Sequence, residues 1–204
     1  MPLRSIATFL FMLIFAGAVQ ASTILVWGDS LSAGYGLKSG EAWPTLLQTR
    51  LTDEGFRHTV VNASVSGETS AGGRSRLPAA LEQHKPSIVI LELGANDGLR
   101  GLRPQLMAEN LTAMIDAARA AGSQVLLVGM HMPPNYGAAY TRRFAQTFTD
   151  VAQAREVPLV PFLLDGFADQ PELFLSDGIH PTAEAQPRVL DTVWQGLQPL
   201  LGRK

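Results

Sequence analysis

Five short apolar runs recur along the chain with little polar alternation inside them: "TILVWG" (23–28), "TVVNAS" (59–64), "SIVILELG" (87–94), "QVLLVGM" (124–130) and "PLVPF" (158–162). A strand with one face in water alternates apolar and polar residues, whereas a strand covered on both faces does not, so these runs predict buried strands. The segments between and after them, "EAWPTLLQTRLTDEG", "RSRLPAALEQHK", "RPQLMAENLTAMIDAARAAG", "GAAYTRRFAQTFTDVAQARE" and "TAEAQPRVLDTVWQGLQPLLG", return an apolar residue every three or four positions. That is the period of an amphipathic helix. Gly55, Gly122 and Pro86 punctuate helix ends, and Pro104 opens a helix where its missing N–H costs nothing. Strands alternating with helices predict an α/β fold, a five-stranded parallel sheet between two helical layers. No linker or compositional break interrupts residues 22–204, which predicts a single domain there.

The N-terminal stretch "MPLRSIATFLFMLIFAGAVQAS" departs from this alternation: Arg4 precedes an apolar run from Ile6 to Val19 and small residues around Ala21. A helix needs about 20 apolar residues to span a bilayer, so the run is short for an anchor. Val19-Gln20-Ala21 meets the small-residue rule for cleavage before Ser22, and residues 1–21 are expected to be a secretory signal peptide. The product is then periplasmic or secreted, with no stable membrane insertion.

Composition narrows the possible functions. The 204 residues are 46% apolar and 17% charged, ordinary for a globular chain. Removing residues 1–21 takes away Arg4 alone among the charges and leaves 15 cations against 18 anions. Such a chain has no basic field for nucleic acid. Cysteine is absent, which excludes disulfides, thiolate metal sites and a thiol nucleophile.

In an open parallel sheet, chemistry gathers beyond the carboxyl ends of the strands. The first predicted strand ends in Gly28-Asp29-Ser30, the second leads to Gly67 in "NASVSGE", and the third to Asn96 in "GAND". Ser30 has three competing readings: a helix cap, part of a phosphate-cradling loop, or a nucleophile. A serine hydroxyl attacks at neutral pH only when an imidazole takes its proton and an acid orients that imidazole. "LSDGIHPTAEAQ" supplies such a pair, Asp177 and His180, with Gly178 to bend the chain and Pro181 to begin the last helix. Donors for an oxyanion are at hand in the Ser30 N–H, the Gly67 N–H, where a side chain would block close approach, and the Asn96 amide.

"GDSL" (28–31), the glycine of "SGET" (66–69), "GAND" (94–97) and "DGIH" (177–180) follow the order of the four blocks of the GDSL, or SGNH, hydrolase family. The chain resembles most the bacterial thioesterase I, lysophospholipase L1 and arylesterase subgroup, through "GDSLSAGYG", "NASVSGETS", "ANDGLRG", "PPNYG" and "DGIHPTAEAQP". The resemblance implies a flavodoxin-like three-layer fold and a serine esterase or thioesterase. Its catalytic residues would be Ser30, Asp177 and His180, and its oxyanion hole Ser30, Gly67 and Asn96. It further implies a small acyl ester or thioester as substrate, with lysophospholipids among the candidates; no metal or cofactor is expected, and the chain is expected to be a monomer. Ala95 departs from the glycine common in the subgroup, with a small effect expected on how Asn96 is presented.

Plainer readings apply elsewhere. Asp29 is expected to tie down its own loop. "GYGLKSG" misses the dinucleotide spacing by one residue, and no Gly-x-Ser-x-Gly elbow occurs. His58, His84 and His131 suit surface or capping roles better than metal ligation. "MHMPPNYG" (130–137) suits a wall for an acyl chain. A carbohydrate O-acetylesterase and a non-catalytic phosphate-binding module are the competing functions.

Overall fold

The structure, a computed structural model, describes residues 22–202; the expected leader over residues 1–21 lies outside them. The strands are β1 (Ser22–Gly28), β2 (His58–Asn62), β3 (Ile88–Glu92), β4 (Gln124–Val128) and β5 (Leu159–Val160). They form one parallel sheet in the order β2-β1-β3-β4-β5. The helices are α1 (Ser30–Ala33), α2 (Trp43–Asp53), α3 (Ser70–His84), α4 (Ala95–Leu99), α5 (Pro104–Ala120), α6 (Ala138–Arg155) and α7 (Gln186–Leu197). Helices α2 and α7 pack together on one face, while α3, α5 and α6 pack in series on the other. The core between the layers holds the side chains of Trp27, Trp43, Phe144, Phe148 and Phe167.

Three expectations need correction. Strand β2 is not covered on both faces: among the described strands it lies at the sheet edge, paired with β1, and none of its residues is fully buried. Strand β5 is only two residues long. Pro181 does not begin the last helix. It bridges Phe174 in antiparallel fashion, and α7 begins five residues later, with Pro187 in its first turn.

The chain leaves β1 toward β2 on one side and returns as β3 on the other. The carboxyl ends of β1 and β3 therefore diverge into a crevice, the position that favours a ligand site in this topology.

Candidate active site

Ser30 owes its position to its neighbours. A Cβ on Gly28 would lie 2.5 Å from Glu92 Oε2 and 2.7 Å from Ser32 Oγ, so only glycine lets β1 close on this turn. Asp29 is the cap of α1, accepting from the Leu31 N–H at 3.0 Å. Ser30 is thus released from capping. Behind the turn, Glu92 accepts from Ser32 Oγ at 2.6 Å and from the Asp29 N–H at 3.3 Å. Burial pushes both acids upward: Asp29 to about 6, and Glu92 well above the carboxylate range with the Asp29 charge adding to the effect.

His180 arrives on a narrow antiparallel turn. The Leu175 N–H donates to the His180 carbonyl at 2.8 Å and the Thr182 N–H to the Leu173 carbonyl at 2.8 Å, with Gly178 in the left-handed region at φ 66°. Pro181, lacking an N–H, fits between those two rungs. Asp177 Oδ1 accepts from the N–H groups of Ile179 (2.8 Å) and His180 (3.0 Å), and Oδ2 lies 2.7 Å from His180 Nδ1. These donors, led by the His180 main-chain N–H, hold the Asp177 carboxyl down to about 2. A carboxylate only accepts, so Nδ1 carries the proton and the lone pair of Nε2 faces outward. It faces Ser30 Oγ at 2.8 Å, across 150 positions of sequence.

The expected oxyanion donors are placed less uniformly. Asn96, at the start of α4, donates its amide to Asp29 Oδ2 at 3.1 Å and lines the cleft with Ser30 and His180. Ala95 is buried beside it. Gly67 stands outside the lining residues, in the turn after β2, where the Arg100 guanidinium donates to its carbonyl at 3.0 Å. A Cβ there would meet no protein atom within 4 Å. Its φ of 79° is what calls for glycine, not crowding by the protein.

From Ser30 opens a cleft of about 440 Å³ with a mostly apolar wall. Met130, Met132, Pro133 and Pro134 of the "MHMPPNYG" stretch form one part, as expected. Phe162, Leu164 and Phe174 form another that the sequence reading did not anticipate, since it comes from the loops after β5. His131 lies flat on Phe162, ring centroids 4.2 Å apart, and burial lowers its pKa. His58 begins β2 and His84 ends α3, far from one another in the chain. Among the described residues no cluster of three or more acids and histidines is arranged for a metal ion, and no helix is long and apolar enough to cross a membrane.

Residues 26–187 match the GDSL-like lipase/acylhydrolase family. The chain belongs to that family. It is 51% identical over 181 residues to Esterase TesA of Pseudomonas aeruginosa, a match covering 89% of this chain and 90% of the relative. It is 42% identical over 193 residues to Thioesterase 1/protease 1/lysophospholipase L1 of Escherichia coli strain K12, covering 95% and 91%. Among solved structures it resembles the psychrotrophic esterase EstA from Pseudoalteromonas sp., in a form inhibited by monoethylphosphonate, with a TM-score of 0.84 and 40% identity over 89% of this chain and 100% of that one. This GDSL-family chain is accordingly a carboxylic ester or thioester hydrolase with an α/β sandwich fold.

Proposed function

We propose that this hydrolase works through an acyl-serine intermediate, with Ser30 as nucleophile, His180 as general base and Asp177 as its orienting acid. One observation carries the proposal: the imidazole lies between two partners, 2.7 Å from the Asp177 carboxylate at Nδ1 and 2.8 Å from the Ser30 hydroxyl at Nε2. Nε2 takes the hydroxyl proton as Oγ attacks the acyl carbonyl, and the carbonyl oxygen gains the negative charge. The N–H groups of Ser30 and Gly67 and the Asn96 amide hold that charge. Collapse breaks the bond to the alcohol or thiol, which leaves with the proton from His180. Water then repeats the sequence on the acyl-serine and releases the acid.

The apolar cleft favours acyl chains over acetyl groups on sugars, which need polar walls. Inhibition of the similar EstA by a phosphonate, a tetrahedral mimic, agrees with an activated serine. A panel of nitrophenyl esters of increasing chain length, an acyl-CoA, a lysophospholipid and an acetylated sugar tests the reading, with Ser30→Ala alongside. Ser30→Ala should abolish turnover of every substrate with the fold intact; residual wild-type rates would refute the mechanism.

Residues 1–21 are the proposed export leader, and cleavage before Ser22 leaves β1 whole, since it begins there. The mature unit of residues 22–204 is proposed to act as a periplasmic or secreted monomer without metal or cofactor. N-terminal sequencing of exported protein should begin at Ser22; a product retaining Arg4 would contradict cleavage.

A further inference from the structure

We propose that Tyr35 is a positioning residue for His180, its ring stabilising the imidazolium that forms when Ser30 gives up its proton. The proposal rests on the reading of His180 as the base. The Tyr35 and His180 ring centroids lie 4.4 Å apart with the planes inclined by 37°, so the phenol covers a face of the imidazole. Both ring nitrogens are already engaged, by Asp177 and by Ser30. The ring face is what remains for a further group to act on.

Tyr35 is 53% exposed, so packing into the core does not explain where it sits. Its place is fixed by the backbone. Gly34 and Gly36 flank it in the left-handed region, at φ 81° and 75°, and the Tyr35 N–H donates to the carbonyl of Ser30 at 3.2 Å. A Cβ on Gly36 would lie 2.5 Å from Leu175 Cδ1, and the Leu175 N–H in turn holds the His180 carbonyl. The loop bearing Tyr35 and the loop bearing His180 therefore interlock through this contact. Tyr35 is not among the residues lining the acyl cleft.

The charged groups facing the imidazole are Asp177 from its own loop and Asp29 from the cap of α1. Both favour a positive ring, and the negative face of an aromatic ring adds to them. The benefit appears only once the imidazole is charged, in the transition state and not with substrate merely bound. Such an interaction raises kcat and leaves KM alone.

The test compares Tyr35→Phe, which keeps the ring, with Tyr35→Leu, which keeps the bulk and removes the π face, beside wild type and Ser30→Ala. Tyr35→Phe should stay within about twofold of wild type. Tyr35→Leu should lose about two- to fivefold in kcat at unchanged KM, and the acid limb of its kcat/KM profile should move to lower pH by about half a unit. Wild-type kcat in Tyr35→Leu, a change confined to KM, or an equal loss in Tyr35→Phe would overturn the proposal. An active Ser30→Ala would overturn the serine mechanism and this proposal with it. An inactive Ser30→Ala beside an indifferent Tyr35→Leu would overturn this one alone.

Discussion

Replacing Asp29 with asparagine should remove a fall in folding stability that the native chain suffers as the pH rises from 4 to 7. The Asp29 side chain is 1% exposed, and burial pushes its carboxyl from 3.8 up to about 6, against the opposing pull of the Leu31 N–H, His180 and the Asn96 amide. An acid raised in the folded state holds its proton more tightly there than in the unfolded chain. Its contribution is complete below pH 3.8 and is lost as the pH climbs through 6. At about 1.4 kcal/mol per pH unit the whole displacement is worth about 3 kcal/mol, of which about 2 kcal/mol falls between pH 4 and pH 7. Asparagine does not titrate. Glu92 is held up first by its own burial and then by the Asp29 charge, so the comparison reads Asp29 together with the part of the Glu92 shift that depends on it. Denaturant unfolding followed by tryptophan fluorescence, with Trp27 and Trp43 as buried reporters, gives the stability of each protein at each pH. The variant should gain about 2 kcal/mol on wild type across this window, on top of any constant offset from the lost Asn96 contact. A difference that does not change with pH would refute the assignment of a buried, proton-holding Asp29.

Asp177→Asn should keep its loop, because an amide oxygen still accepts from the Ile179 and His180 N–H groups. Its amide N–H would face Nδ1 and force the wrong tautomer, lowering kcat by roughly 10⁴, as steady-state kinetics would show. Because the Asp177 carboxyl is held down to about 2, it stays ionised through the working range. Asp177 should therefore add no acid-side step of its own to the activity profile above pH 4, and a step there that Asp177→Asn removes would contradict this. Asn96→Ala should cost about 10²- to 10³-fold in kcat with little change in KM. Gly67→Ala should lower stability by about 1–2 kcal/mol through its positive φ, measured as a shift of the urea midpoint at constant slope.

Much of the fold was legible because strands covered on both faces leave unbroken apolar runs, as at Ile24–Trp27 and Ile88–Leu91. The edge position of β2 left no such mark: "TVVN" reads alike at the edge and in the middle of a sheet, and strand order decides which. Ser30, Asp177, His180 and Asn96 were legible as short motifs because each sits where a strand or turn ends. Glu92 carried a signal that was passed over, since an acid inside "IVILE" must be buried and therefore neutral or paired. The start of α7 was misplaced because proline opens helices but also fits a turn that needs no N–H, and Pro181 serves the second purpose. Phe162, Leu164 and Phe174 were invisible as cleft residues, because nothing local distinguishes a side chain facing a cleft from one facing the core.

The most direct test of the mechanism is the mass of the chain after exposure to a fluorophosphonate, followed by peptide mapping. The account predicts one phosphonyl group per chain, carried on the oxygen of Ser30 in the peptide that spans β1 and α1, and none on Ser30→Ala or His180→Ala. An unlabelled wild-type chain, or a label that persists in Ser30→Ala, would contradict it.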